Sequence, residues 1–264
     1  MPNERTAGDA PSILSKAFEL LRAFNTQDRV LTLSELARAS QLPKSTVHRL
    51  LARLMELDAV EPHRGGYKLS LSLIQFGANT PAAALRDIAM PYIAALHRWT
   101  SRTVHLAVLR KFDVVYLEKL APTGTTVSLT SVGARLPANC TALGKALLAG
   151  EDLDDLAAFL PSPLPMLTPQ SIKDIGTLIT ELRGVRESGL ARESNEALMG
   201  VACTAAPIIV HGFTIAAVSV TRPNSEPMNP KEQTALRDTA AGIAREARAG
   251  LKNPRQALWF VHDL

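Results

Sequence analysis

Residues 32–69, TLSELARASQLPKSTVHRLLARLMELDAVEPHRGGYKL, read as a short helix, a tight turn, a longer helix and a β-hairpin. In the second helix Val47, Leu50, Leu51, Leu54 and Leu57 recur at helical spacing and make one buried stripe. The opposite face carries Ser45, Thr46, His48, Arg49 and Arg53, all hydrogen-bond donors and two of them cationic. A face of that kind has little reason to enter a core and good reason to lie against a polyanion. In the first helix Leu33, Leu36 and Ala37 point inward, with Thr32 and Glu35 spaced as a capping box. Leu42-Pro43 separates the two helices, and Pro43 suits the first turn of the second. The hairpin Val60–Leu69 has a Gly-Gly turn flanked by basic residues, as expected of a wing resting on phosphates. These features predict a winged helix-turn-helix whose second helix enters the major groove of double-stranded DNA.

The totals agree with a globular protein of two ordinary domains. The chain has 264 residues, 46% hydrophobic and 20% charged, enough to fill real cores. Net charge is +4 and the isoelectric point is near 9.2, a mild basic bias. The bias is local: residues 38–68 hold six Lys/Arg (38, 44, 49, 53, 64, 68) against three acids (56, 58, 61), and the acids read as a solvated rim without a role. Two distant cysteines make no disulfide framework and fit a reducing compartment. The polar N-terminus MPNERTAGDAP lacks a secretory apolar region, and no run approaches the ~18 apolar residues of a membrane span. A cytoplasmic location without a membrane partner is therefore expected.

Outward from the opening stretch, residues 1–11 read as a leader. Ser12 caps a helix to about Asn25, with Ile13, Ala17, Leu20, Leu21 and Phe24 on its inner face. After the wing an alanine-rich segment, Ala82 to Ala95, reads as a helical linker whose apolar residues also suit self-association. From Thr103 the period changes to two, giving a hairpin around Asp113 and a third strand at Thr125–Leu129. The loop SVGARLPANC leads into a small-residue helix, TALGKALLAG; helices over DLDDLAAFLP and SIKDIGTLITELRGVRESG follow. Two β runs turn at His211-Gly212, and a final helix spans about Asn229 to Leu251. The pattern predicts an α+β domain, an antiparallel sheet covered by helices. The boundaries expected are 12–76 for the winged helix-turn-helix, 77–90 for the linker helix, 91–251 for the second domain and 252–264 for a tail.

Two clusters in the second domain stand out. Gly133–Ala146 feeds a loop into a helix start, where Ala142 to Gly144 place small side chains around exposed N–H groups, an anion-site pattern that also serves plain packing. The second is Arg192-Glu193-Ser194-Asn195-Glu196, followed by Gly200 and Cys203. Ser219 and Thr221 alternate on the next strand, so they share a face. If Cys203 uses that face too, the group forms a small polar pocket for a carboxylate or similar metabolite. Cys140 and Cys203 read as small buried hydrophobes, and without Cys-x-x-Cys or His-x-x-x-His spacing neither a metal site nor a cofactor is expected. His105, in an apolar strand, reads as a satisfied histidine.

With both clusters in view, the chain resembles the IclR-type transcriptional regulators from about residue 12 to 250. The resemblance rests on Leu42–Leu51, Val104-His105-Leu106-Ala107, Gly133–Lys145, Glu193-Ser194-Asn195, Gly200–Cys203 and Ala205–Ile208, in that order. Ser70 stands where the family often has glycine, and the tail KNPRQALWFVHDL has no counterpart. The resemblance implies a GAF-like effector-binding domain, a homodimer or homotetramer, and regulation by a small metabolite, an organic acid or aromatic catabolite. It implies an effector pocket at Ala142, Leu143, Glu193, Cys203, Ser219 and Thr221. The expected protein is not an enzyme: it binds a palindromic operator, with Ser45, Thr46, His48 and Arg49 on base edges and Lys44, Arg53, Arg64 and Lys68 on phosphates. Two alternatives stay open. One is an enzyme using Cys140 or Cys203 as nucleophile, for which no histidine accompanies either cysteine in sequence. The other is a DNA-binding protein without a ligand.

Overall fold

The computed structural model describes residues 12–24, 29–124 and 129–250. The 1–11 leader, the end of the first helix at Asn25, most of the third-strand run, the expected helix end at Leu251 and the 252–264 tail lie outside the described residues. The chain divides into two compact units, one to Thr80 and one from Pro81.

In the first unit α1 (Ile13–Arg22), α2 (Leu33–Ser40) and α3 (Lys44–Glu56) precede a hairpin of β1 (Val60–His63) and β2 (Gly66–Leu69), then a short α4 (Leu73–Ala78). Leu20, Leu36, Val47, Leu50, Leu51, Leu54 and Val60 form its core. Thr32 and Glu35 make the capping box: the Glu35 N–H donates to Thr32 Oγ1 at 3.2 Å and the Thr32 N–H to Glu35 Oε2 at 2.8 Å. Three local expectations need correction. Leu57 is 75% exposed, because α3 stops at Glu56 and the stripe ends with it. Ile13 is 58% exposed, since the first turn of α1 overhangs the core. The wing turn is Arg64-Gly65, not Gly-Gly: Gly65 takes φ +84°, while Gly66 opens β2, where a Cβ would lie 2.4 Å from the Leu31 carbonyl oxygen. That close approach lets Leu31 bridge to Tyr67 beside the hairpin.

The second unit is an antiparallel six-stranded sheet in the order β5-β4-β3-β8-β7-β6. Its strands are β3 (Thr103–Arg110), β4 (Asp113–Leu120), β5 (Arg135–Pro137), β6 (Ala191–Ser194), β7 (Val201–Val210) and β8 (Phe213–Pro223). On one face α5 (Pro81–Thr100) and α9 (Pro230–Gly250) cover Leu106, Val108, Ala206, Ile208, Val218 and Val220. On the other lie α6 (Ala142–Leu148), α7 (Leu153–Phe159) and α8 (Ile175–Ser188). The two covered faces follow from period-two alternation, which sends neighbouring residues of each strand to opposite sides. α5 begins inside the stretch expected as a linker, and its Leu85 and Ala89 are buried in the second unit's core. Leu129, expected in a strand, lies in a turn. β5 and β6 fall in segments read as loop and charged cluster, because runs of three and four residues carry almost no periodicity.

Candidate functional site

In the first unit α3 presents Lys44, Ser45, His48, Arg49 and Arg53 to solvent, with Thr46 half-buried. Pro43 stands before the helix and offers no side-chain cap, so the first-turn N–H groups of α3 point outward with the positive end of its dipole. Arg64 is exposed at the wing turn. Two of the expected phosphate-binding cations already have carboxylate partners: Arg53 pairs with Glu56 at 2.6 Å and Lys68 with Glu61 at 2.9 Å. The acids read as a rim without a role thus hold these side chains in place. Asp58, the third of them, turns the chain into the wing at φ +52° and accepts a hydrogen bond from Ser70 at 3.0 Å, a donor that glycine at that position would lack.

In the second unit the face under α6 has two ends. At one end Ala107, Ala191, Ala205 and Ala217 give small side chains in four adjacent strands, and α6 comes down close enough for all seven of its residues to be buried. At the other end the strands continue with polar residues. The register sets Thr103 opposite Thr221, Cys203 opposite Thr221, and Glu193 opposite Cys203; His105 pairs with both Ser219 and Lys119. These residues and Tyr116, with the start of α6, Leu129, Thr130 and the loop residues Ala197 and Leu198, enclose a cavity of about 110 Å³. All six residues expected in the pocket line it: Ala142, Leu143, Glu193, Cys203, Ser219 and Thr221.

The walls are mostly neutral. His105 sits between Thr130 Oγ1, 3.0 Å from Nε2, and Thr221 Oγ1, 3.4 Å from Nδ1, with the Tyr116 ring edge-on at 5.2 Å. Burial, with the Lys119 charge nearby, drives its pKa down to about 3, so the ring is neutral. Thr221 Oγ1 and Cys203 Sγ share a hydrogen bond at 3.2 Å. Burial raises the Cys203 thiol well above its ordinary value, aided by the Glu193 charge beside it. Burial also raises the Glu193 carboxyl, against the lowering pull of Cys203 and of the Glu196 and Ala197 N–H groups. Among the described residues, Glu193 Oε1 and Ser219 Oγ are buried without a hydrogen-bond partner. Groups of that kind are costly unless something satisfies them.

His105 and Lys145 escaped the reading from sequence. His105 is a pocket wall; its position two residues after Thr103 on a strand was the available signal. Lys145 is wholly buried, its Nζ held by Glu181 at 2.6 Å, Glu196 at 2.8 Å and the Arg192 carbonyl at 3.2 Å. Its partners lie 36 to 51 residues away in sequence, out of reach of any local pattern. The start of α6 is also not an open anion site: Ala142, Leu143 and Gly144 are buried, and the Gly144 N–H donates to Thr141 Oγ1 at 2.9 Å. Gly144 is required there because a Cβ would fall 2.1 Å from the Ala138 carbonyl oxygen. Cys140 is buried and donates to the Pro165 carbonyl at 3.3 Å, and burial raises its pKa. Among the described residues no cluster of His, Cys, Asp and Glu could hold a metal, and no helix is long and apolar enough to cross a membrane.

Residues 79–246 match the family description "Bacterial transcriptional regulator IclR C-terminal", and residues 13–64 match "IclR helix-turn-helix domain". The chain belongs to the IclR family. It is an IclR-type transcriptional regulator with an N-terminal helix-turn-helix domain and a C-terminal effector-binding domain built on a curled antiparallel sheet. Among its IclR relatives, the regulator XynR of Escherichia coli is 31% identical over 78% of this chain and 84% of its own length. The E. coli DNA-binding transcriptional repressor YiaJ is 30% identical over 92% and 89%. A crystal structure of an IclR homologue from Microbacterium hydrocarbonoxydans complexed with 4-hydroxybenzoate superposes with a TM-score of 0.78. It is 27% identical and covers 90% of this chain and 100% of that one.

Proposed function

We propose that this IclR-family chain binds a palindromic operator as a homo-oligomer and is switched by a small organic acid or aromatic catabolite in the second-unit cavity. The observation that carries the switch is the cavity itself. It is lined by apolar and polar side chains together, and two of its buried polar atoms, Glu193 Oε1 and Ser219 Oγ, lack partners among the described residues. Such atoms call for a polar ligand, and a ligand hydroxyl beside Glu193 avoids setting an anion against a carboxylate. The homologue crystallised with 4-hydroxybenzoate supports a ligand of this size and chemistry. Ala142, Leu143, Cys203 and Thr221 complete the walls.

On the DNA side Ser45, Thr46, His48 and Arg49 read base edges, while Lys44, Arg53, Arg64 and Lys68 and the open N-terminus of α3 hold phosphates. Oligomerisation is supported by apolar side chains left in solvent on the first unit: Leu14 and Phe18 of α1, and Leu71, Ile74 and Phe76 around α4. The winged helix-turn-helix of 12–76 serves the DNA and the second unit, which begins with α5 at Pro81, serves the effector; the protein works in the cytoplasm without catalysing a reaction. Both thiols are pushed up by burial, which opposes the thiolate a cysteine enzyme requires.

A gel shift on the DNA flanking its own gene, with and without a set of small aliphatic and aromatic acids, tests this reading. A specific shift that one acid strengthens or releases is the expected result. Absence of specific binding at moderate salt contradicts the DNA assignment, and specific binding that no acid alters contradicts the effector assignment.

A further inference from the structure

Strand β4 contains an irregularity whose effect is to choose the charge that faces the cavity. Its pairing with β3 runs Leu106↔Glu118 and then Ala107↔Tyr116, so Leu117 is an extra, unpaired residue. In a regular strand Tyr116, which faces the cavity, would be followed on that face by Glu118. The bulge advances the alternation by one residue. Lys119, paired with His105, lines the cavity instead, while Glu118 turns to the opposite face and meets Arg86 of α5 at 2.6 Å. Among the described residues lining the cavity, Lys119 is the one lysine or arginine. It stands across the sheet from Glu193: β4 and β6 are separated by β3, β8 and β7. Four strand spacings of about 4.8 Å put the two backbones about 19 Å apart along the sheet. The cavity therefore has a lysine on one flank, Lys119 beside Tyr116 on β4, and a carboxyl on the other, Glu193 on β6, with the neutral His105 ring, Ser219, Thr221 and Cys203 on the strands between them.

We propose that Lys119, placed on the cavity face by the bulge at Leu117, is the residue that binds the effector's carboxylate, and that the effector's far end carries a hydroxyl given to Glu193. This rests on the effector-pocket reading above and specifies its chemistry: one flat ring or short chain, acid at one end and hydroxyl at the other. The hydroxyl donates to Glu193 Oε1, while the carboxylate stays clear of the acidic end. An effector in the reverse orientation would set carboxylate against carboxyl and leave the ammonium facing a neutral group.

The test is calorimetric titration of the full chain with three probes: 4-hydroxybenzoate, its methyl ester, which lacks the charge, and benzoate, which lacks the hydroxyl. Wild-type protein is expected to bind the hydroxy acid about tenfold or more tightly than either of the others, the scale of one charge-assisted hydrogen bond. Lys119→Met should erase the preference for acid over ester and keep the preference for hydroxyl. Lys119→Arg should restore the former, and Glu193→Gln should erase only the latter. Thermal unfolding of each variant checks that it is folded. If the acid and ester bind wild type equally, or if Lys119→Met weakens all three probes alike, the proposal is overturned. If no hydroxylated acid binds but a different small acid alters the gel shift, the bipolar site is wrong and the effector reading stands. If nothing in the set binds or alters the shift, both fail.

Discussion

Lys44 and Lys145 each lie in the first turn or so of a helix among small residues, yet the two helices use them in opposite ways. Lys44 opens α3 in full solvent, with Ser45, His48 and Arg49 exposed beside it. Lys145 lies in α6, every residue of which is buried, and two carboxylates hold its ammonium. The difference lies in the neighbours. α3 has one apolar stripe of Val47, Leu50, Leu51 and Leu54, so its opposite face remains free for a polyanion. α6 is Ala142-Leu143-Gly144-Lys145-Ala146-Leu147-Leu148, apolar all round except at Lys145, and it can only be a core helix. A cation on the first kind of helix is available to DNA; on the second it must be neutralised inside the fold.

The largest effect that would sharpen this contrast is expected from Lys145→Ala. It leaves Glu196 buried without its counter-ion, and loss of one partner of a buried pair costs about 3–5 kcal/mol. Urea unfolding of the variant should show this, and a change below about 1 kcal/mol would mean that the cluster is relaxed or solvated. Gly144→Ala should cost about 1–3 kcal/mol by overpacking against the Ala138 carbonyl, and it should blunt ligand binding because Ala142 and Leu143 move with the turn.

Acid should weaken the second unit through His105. Its pKa falls from 6.5 to about 3 on folding, so the unfolded chain binds the proton more tightly. The stabilisation is complete above the unfolded value and declines as pH drops below it, by about 2 kcal/mol on reaching about pH 5. In His105→Gln this part of the pH slope should vanish whatever the variant's stability at neutral pH. An unchanged slope would place the acid sensitivity elsewhere. The smallest effect on stability is expected for Lys44→Ala, within about 0.5 kcal/mol. The same change should reduce the salt dependence of DNA binding by about one counter-ion, which titration at several salt concentrations measures.

These contrasts also mark what could be read from the chain itself. The helix-turn-helix was legible because its information is local: a 3.6-residue stripe, a capping box three residues wide, a glycine in the wing turn. The family resemblance and strand alternation brought six pocket positions into one group, with Ser219, Thr221 and Cys203 on a shared face. What escaped depends on distant pairing. Lys119 faces the cavity only because one residue of β4 goes unpaired with β3, and period-two alternation cannot announce its own exception. Lys145 meets acids from α8 and from the loop after β6, and β5 and β6 are too short to show a pattern before their partners are known.

The central claim is that DNA reading and effector sensing belong to separate sites. It is tested most directly by measuring the operator dissociation constant, with and without 4-hydroxybenzoate, for Arg49→Ala and Ser219→Leu. Ser219 Oγ has no partner among the described residues, so leucine there fills the cavity without breaking a hydrogen bond within them. Arg49→Ala should weaken DNA binding about tenfold or more, as loss of a base contact does, while its thermal shift on adding 4-hydroxybenzoate persists. Ser219→Leu should bind DNA as wild type does and lose the response to the acid. If Arg49→Ala binds the operator unchanged, or if Ser219→Leu still responds, the assignment of the two sites is wrong.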